Sequence, residues 1–193
     1  MTDLSPSADA VSDADLLARF ATGDPRAARQ LTDRLAPRVY RLCFRLLGDR
    51  AEAEDITQEA MMKLWKIAPD WRADGAAPST WLYTVARNAC MDRLRRKRSV
   101  PLDEAGEMAD PTPSVERILS QAERAEALQA ALGDLPVRQR EAVVLRHLEG
   151  LSNPEIAGIM EISVEAVESL TSRGKRMLAK ALGHRRAELG FTE

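Results

Sequence analysis

Apolar residues recur along this chain at spacings of three and four. Leu31, Leu35, Val39, Leu42 and Leu46 keep that rhythm, and Ile56, Ala60, Leu64 and Ile67 take it up again. The spacing lines up side chains on one face of a helix, whereas strands alternate. Asp13–Phe20 reads as a short first helix with Leu16, Leu17 and Phe20 on one side. Gly23 and Asp24 break it, and Asp24 caps a second helix whose first position is Pro25. Pro37 falls inside that helix and predicts a kink or a split. Gly48 closes it and Asp49 caps a third. Ala68–Ser79, "APDWRADGAAPS", reads as loop, and a long helix follows from about Thr80 to Arg98.

Helix resumes near Ser114, with Val115, Leu119, Ala122, Ala125, Leu128 and Leu132 expected inward. Pro136 starts another helix, with Val143, Val144, Leu145 and Leu148 expected in the core. Ser152 and Glu155 form an S-x-x-E capping box before a helix of about eight residues, and Ser163 caps the last long helix. No segment has a strand period. The predicted fold is all-α, two small helical domains joined by a connector.

Charge sharpens the division. Residues 1–100 carry a net +3, residues 101–126 a net −5, and residues 127–193 a net 0. Residues 99–113 hold three prolines and four acidic residues, which marks an acidic, Pro-rich linker between residues 13–98 and 114–193. Residues 1–12 lack a basic start and an apolar core and read as a loose tail, not a signal peptide. No apolar run approaches membrane-spanning length. Cys43 and Cys90 form no C-x-x-C motif and read as small buried residues of a reducing cytosol.

Three constellations stand out. In "AEDITQEAMMKLWK", Asp55, Gln58 and Glu59 form one patch at helical spacing. That patch suits a docking face, and a solvated helix face, the usual fate of such charges, is the plainer reading. In "STWLYTVARNACMDRLRRKR", Trp65, Trp71, Trp81 and Tyr83 are expected to gather around one loop and helix start, followed by Arg87, Arg93, Arg95, Arg96, Lys97 and Arg98. Flat rings for unstacked bases and cations for phosphates favour opening DNA over simple duplex binding. A core helix with a basic end is the plainer reading. In "LSNPEIAGIMEISVEAVESLTSRGKRML", a short helix, a tight turn and a longer helix give helix-turn-helix spacing. A packing hairpin would share it. His147 and His184 stand apart from metal-ligand spacing, and no Gly-rich phosphate loop or nucleophile motif occurs. The sequence thus points to no cofactor, no metal and no catalysis.

Taken in order, these segments resemble the bacterial sigma factors of the extracytoplasmic-function group. "AEDITQE" resembles the family segment that docks on core RNA polymerase. "STWLYTVARNACMDRLRR" is similar to the segment that meets the −10 promoter element. "LPVRQREAVVLRHLEGLSNPEIAGIMEISVEAVESLTSRGKRML" resembles the module that reads the −35 element. The resemblance implies core contacts at Asp55, Gln58 and Glu59. It implies −10 contacts at Trp71, Arg72, Trp81, Asn88, Asp92, Arg95 and Arg96, with the 68–79 loop holding an extruded base. The helix-turn-helix reading of the residues places −35 contacts at Ser163, Glu165, Glu168, Ser172, Arg173, Lys175 and Arg176, and the family's usual contacts at Glu168 and Leu170 do not carry over. The linker would run toward the RNA exit path. Implied partners are core polymerase, promoter DNA and an anti-sigma factor, often zinc-bearing, and the implied location is cytoplasmic. A polymerase-independent helix-turn-helix regulator is the rival reading, and an interaction protein without DNA activity is a third.

The chain departs from the family at Met61, where many members have Phe, and at Glu161, where many have Gly. It also departs at Glu168 and Leu170, where many have basic residues. The carboxylates that open the last helix are unexpected against a polyanion. A Glu can accept from the cytosine N4 amino group in the major groove, so Glu165 and Glu168 read as base readers or excluders. Both would also suit the positive end of the helix dipole.

Overall fold

The computed structural model describes residues 11–72, 76–99 and 116–183, and these carry eight α-helices and no strand. The expected linker, most of the N-terminal tail, the start of helix at Ser114 and Val115, and His184 lie outside the described residues. The caps predicted from sequence at Asp24 and Asp49 are present, and Ser12 supplies one that the sequence did not announce. Ser12 Oγ accepts from Asp15 N at the start of α1 (Asp13–Ala21). Asp24 accepts from Arg26 N and Ala27 N at the start of α2 (Pro25–Leu47). Asp49 accepts from Glu52 N at the start of α3 (Arg50–Ile67). Gly48 ends α2 in the left-handed region at φ 72°, with its N–H on Phe44 O.

Pro37 does not split α2, which runs unbroken through it. The residue is exposed, as is Asp33 one turn earlier. The carbonyl that loses its helical donor therefore meets water, which limits the cost. Ala68–Asp70 form one 3-10 turn, and α4 follows over Pro78–Ser99. Leu82, Tyr83, Ala86 and Cys90 make its buried face. α2 lies at the centre of the first bundle and packs on α1, α3 and α4.

In the second bundle α8 (Val164–Gly183) packs on α5 (Glu116–Gly133), α6 (Val137–Val143) and α7 (Asn153–Met160). Two expectations are corrected here. Ala122 and Ala125 are exposed, and α5 turns Ala127, Ala131 and Leu132 inward instead, with Leu128 half-buried. Leu148 is 39% exposed. The reason is that α6 runs into one wide π turn over Val144–Leu148, closed by Glu149 N on Val144 O. The extra residue per turn rotates Leu148 outward and carries Glu149 inward.

The bundles are not separate beads on a connector. Their buried side chains form one continuous apolar core, and α4 packs on α7 while α2 meets α5, α6 and the π turn.

Candidate functional site

Three exposed faces carry the residues that the sequence singled out. The first is on α3. Asp55, Gln58 and Glu59 are all exposed, while Ile56, Ala60 and Leu64 are buried on the opposite side. Beside them lies an open groove of about 600 Å³, lined by Pro37, Tyr40, Gln58, Met61, Met62 and Trp65 among others. Met62 is 63% exposed. Sequence reasoning missed the groove because Pro37 and Tyr40 come from α2. The one available signal was a second methionine beside the apolar positions of α3.

The second face is on α4. Trp81, Asn88, Asp92 and Arg95 stand at spacings of seven, four and three, along one side of the helix. Asn88, Asp92, Arg95 and Arg96 are exposed, as is Arg72, and Trp71 and Trp81 are partly exposed. Trp71 and Trp81 meet edge to face with ring centres 6.0 Å apart. Arg95 donates to Asp92 at 2.7 Å, so part of the local positive charge is already paired.

The expected gathering of four aromatics does not form. Trp65 packs on Phe20 at 4.7 Å. Tyr83 is buried and donates from its hydroxyl to Glu149 Oε2 at 2.8 Å. The basic run is divided too. Lys97 reaches Glu52 at 2.7 Å, and Arg93 lies 3.7 Å from the same carboxylate, so both serve the α3–α4 packing. Arg87 pairs with the fully buried Glu141 at 3.2 Å.

The third face is on α8. Ser163, Glu165, Glu168, Ser172, Arg173, Lys175 and Arg176 are all exposed, on the side opposite the buried Val167 and Gly174. The preceding helix, α7, has the predicted capping box: Ser152 and Glu155 cap each other's backbone amides. The turn to α8 passes through Glu161 at φ 54°, the only non-glycine with positive φ among the described residues. That is the position where the sequence lacks the glycine common in the family. α8 then crosses α6 closely at Gly174. A Cβ there would lie 2.6 Å from Val143 Cγ2 and 3.1 Å from Gln139 O.

The two glutamates differ. Glu165's own amide N–H and the Ser163 hydroxyl hold its carboxyl below the usual carboxylate range at the start of α8. Glu168 accepts from Asn153 Nδ2 at 3.3 Å, tying α8 to α7.

Cys43 and Cys90 are both buried and face one another across α2 and α4. The hydrogen bond with Cys43 and burial push the Cys90 thiol up. His147 is exposed, and partial loss of solvent around its ring, with Lys175 and Arg146 nearby, lowers its pKa. Among the described residues no three His, Cys, Asp or Glu side chains come together to hold a metal ion. None of the described helices is long and apolar enough to cross a membrane.

Comparison with known proteins agrees with this arrangement. Residues 31–100 match the family Sigma-70 region 2, and residues 125–178 match Sigma-70, region 4. The chain is 37% identical over 176 residues to the ECF RNA polymerase sigma factor SigM of Mycobacterium tuberculosis, covering 90% of this chain and 86% of that protein. It is 31% identical to SigW of Bacillus subtilis, over 83% of this chain and 91% of that one. Among solved structures it resembles CnrH in complex with the cytosolic domain of CnrY. That likeness has a TM-score of 0.67 at 25% identity and covers 89% of this chain and 97% of that one. With two exposed helical faces in the order of regions 2 and 4, and relatives matched over nearly the whole chain, this protein belongs to the extracytoplasmic-function sigma factors, non-enzymatic proteins of promoter-specific transcription initiation.

Proposed function

We propose that each exposed face takes one partner in initiation. Asp55, Gln58 and Glu59, with the apolar groove beside them, dock on core RNA polymerase. The carboxylates set orientation and approach, and the groove receives an apolar side chain at the centre of the contact. The α4 face, from Trp71 and Trp81 to Asn88, Asp92, Arg95 and Arg96, meets the −10 element and stabilises its opening. The edge-to-face tryptophan pair offers a flat surface to an unstacked base. The α8 face meets the −35 element, with Arg173, Lys175 and Arg176 on phosphates, Ser163, Ser172 and Glu168 toward the base edges, and Glu165 serving the positive end of the helix.

On this reading residues 13–98 and 114–193 are the two working modules, and the acidic stretch 99–113 runs between them through the polymerase. The protein acts in the cytoplasm in a stress response and is held in check by an anti-sigma factor. In keeping with that regulation, the similarly folded sigma factor RpoE of Bartonella quintana was solved in complex with the anti-sigma factor NepR.

The observation that carries the reading is the exposed carboxylate–amide patch beside an open apolar groove. A solvated helix face needs no such groove. Run-off transcription with core polymerase tests the function as a whole, and absence of a promoter-dependent transcript would overturn it. Asp55→Lys and Glu59→Lys test the docking face. Each should weaken core binding by about 2 kcal/mol or more if it lies at the centre of the contact, with the helical circular dichroism of the chain unchanged. Wild-type affinity in both variants would sink the assignment.

A further inference from the structure

A side-chain hydrogen bond joins the two helices of the helix-turn-helix across their turn. Asn153, the first residue of α7, donates from Nδ2 to Glu168 Oε1 at 3.3 Å, over fifteen residues of chain. Its direction is set by charge: a carboxylate only accepts, so the amide oxygen of Asn153 cannot be the atom that faces it. Among the described residues no lysine or arginine pairs with Glu168. The carboxylate therefore keeps its charge, and its second oxygen, Oε2, faces out without a protein donor. Glu168 is exposed, on a side of α8 that also carries Ser172 and Lys175 at spacings of four and three.

The fold does not need this bond. α7 already has its cap in Ser152 and Glu155. The packing of α7 on α8 rests on the buried Ile156, Ile159, Met160 and Val167. An exposed bond adds little to that, because water competes for both partners. What the bond does fix is a direction. A free glutamate turns about three side-chain torsions and loses much of that freedom when it is held. A carboxylate that is already held has less to lose when it meets a ligand.

The ligand follows from the chemistry of Oε2. In the major groove only cytosine and adenine offer an amino donor, and adenine sets its N7 acceptor beside it. A carboxylate is repelled by that N7, by the O6 and N7 of guanine and by the O4 of thymine. Cytosine N4 is the donor that remains.

We infer that Asn153 is a specificity-determining positioning residue of the −35 contact, which holds Glu168 Oε1 so that Oε2 is presented to the N4 amino group of a cytosine. The inference rests on the proposed meeting of α8 with the −35 element, and adds to it the residue that aims the carboxylate and the base that it takes. Selectivity comes as much from rejecting the other three bases as from binding this one.

The test is selection from randomised −35 sequences by the full chain bound to core polymerase. Asn153→Asp is isosteric, replaces the donor by an acceptor and adds a repelling charge, yet an aspartate in the first turn of α7 suits the helix dipole. Asn153→Ala removes the donor without adding charge, and Asn153→Gln keeps a donor. Glu168→Ala should cut the preference for cytosine at one position by roughly tenfold, the scale of one good base contact. Asn153→Asp and Asn153→Ala should each cut it at that same position by about threefold or more. Asn153→Gln should restore part of it, and the Asn153→Ala/Glu168→Ala double variant should lose no more than Glu168→Ala alone. Thermal midpoints and affinity for a scrambled −35 duplex should stay at wild-type values in the Asn153 variants.

Wild-type preference in both Asn153→Asp and Asn153→Ala, with Glu168→Ala altered, would overturn the positioning role. So would a loss spread evenly over all positions together with weaker binding to the scrambled duplex, which would make the bond a strut of the fold. A wild-type motif in Glu168→Ala would remove the reader itself. In those three cases the wild-type chain still selects a motif, and the −35 role of α8 stands. A wild-type chain that selects no −35 motif would overturn that role and this inference with it.

Discussion

Gly158 and Gly174 invite the same substitution with opposite results. Both lie inside helices, where alanine is favoured over glycine by about 0.8–1 kcal/mol. At Gly158, in α7, a Cβ would meet nothing within 4 Å, so Gly158→Ala should gain most of that. At Gly174 the same Cβ would lie 2.6 Å from Val143 Cγ2 and 3.1 Å from the backbone oxygen of Gln139. The valine is fully packed and the carbonyl belongs to α6, so neither can swing aside. Overpacking of this kind costs about 1–3 kcal/mol. Set against the helix gain, Gly174→Ala should lose up to roughly 2 kcal/mol. For a chain of this size each kcal/mol moves the melting temperature by about 2–4 °C.

The loss should shrink in a Val143→Ala background by about 0.5 kcal/mol or more, because the closest clashing atom is then gone. Thermal melts of wild type, both glycine variants, Val143→Ala and the Gly174/Val143 double variant give all of these values. The displaced α8 should also bind −35 DNA more weakly in Gly174→Ala, with Gly158→Ala unaffected. If Gly174→Ala gains stability as Gly158→Ala does, the close α6–α8 crossing is not as described and the reasoning fails.

The two glutamates at the start of α8 should now separate. Glu165→Ala should weaken the start of α8 slightly and leave base preference alone, whereas Glu168→Ala should relax one position of the −35 element by about 1–3 kcal/mol. Selection from randomised −35 sequences tests both, and an unchanged motif in Glu168→Ala would make it a helix-pairing residue for Asn153 only. Glu161→Gly should raise stability by up to about 1 kcal/mol, the left-handed penalty less the added freedom of glycine in the unfolded chain. A lower melting point would contradict this. Burial pushes the Glu149 carboxyl above its usual 4.5, against the pull of Tyr83 and Arg41. Between those two values the folded chain holds a proton that the unfolded chain has released, so this group's contribution falls as pH rises through the window. The stability of wild type relative to Glu149→Gln, followed by urea titration from pH 4 upward, should fall accordingly; a flat or rising difference would refute the assignment.

Helices, caps and exposed faces were legible in the sequence because each depends on residues within one or two turns. The spacing of Leu31 to Leu46, Asp24 before Pro25, and Ser152 with Glu155 carry their structural meaning locally. So did the patch Asp55, Gln58, Glu59 and the polar side of α8. The strain at Glu161 could be foreseen too, since only the backbone of one residue is involved.

What tertiary structure alone decided is where residues far apart in sequence meet. The π turn rotated Leu148 out and Glu149 in, and α5 turned Ala127 rather than Ala125 toward the core. Tyr83 and Arg87 read as DNA-facing groups beside Trp81 and Asn88, yet they point to the second bundle and spend their polar atoms on Glu149 and Glu141. A helical repeat tells which residues share a face but not which neighbour covers it. A charge buried in an apolar run, as Glu141 is in "EAVVL", is the one local sign that a partner stands opposite. The identity of that partner is set by packing over more than fifty residues of intervening chain.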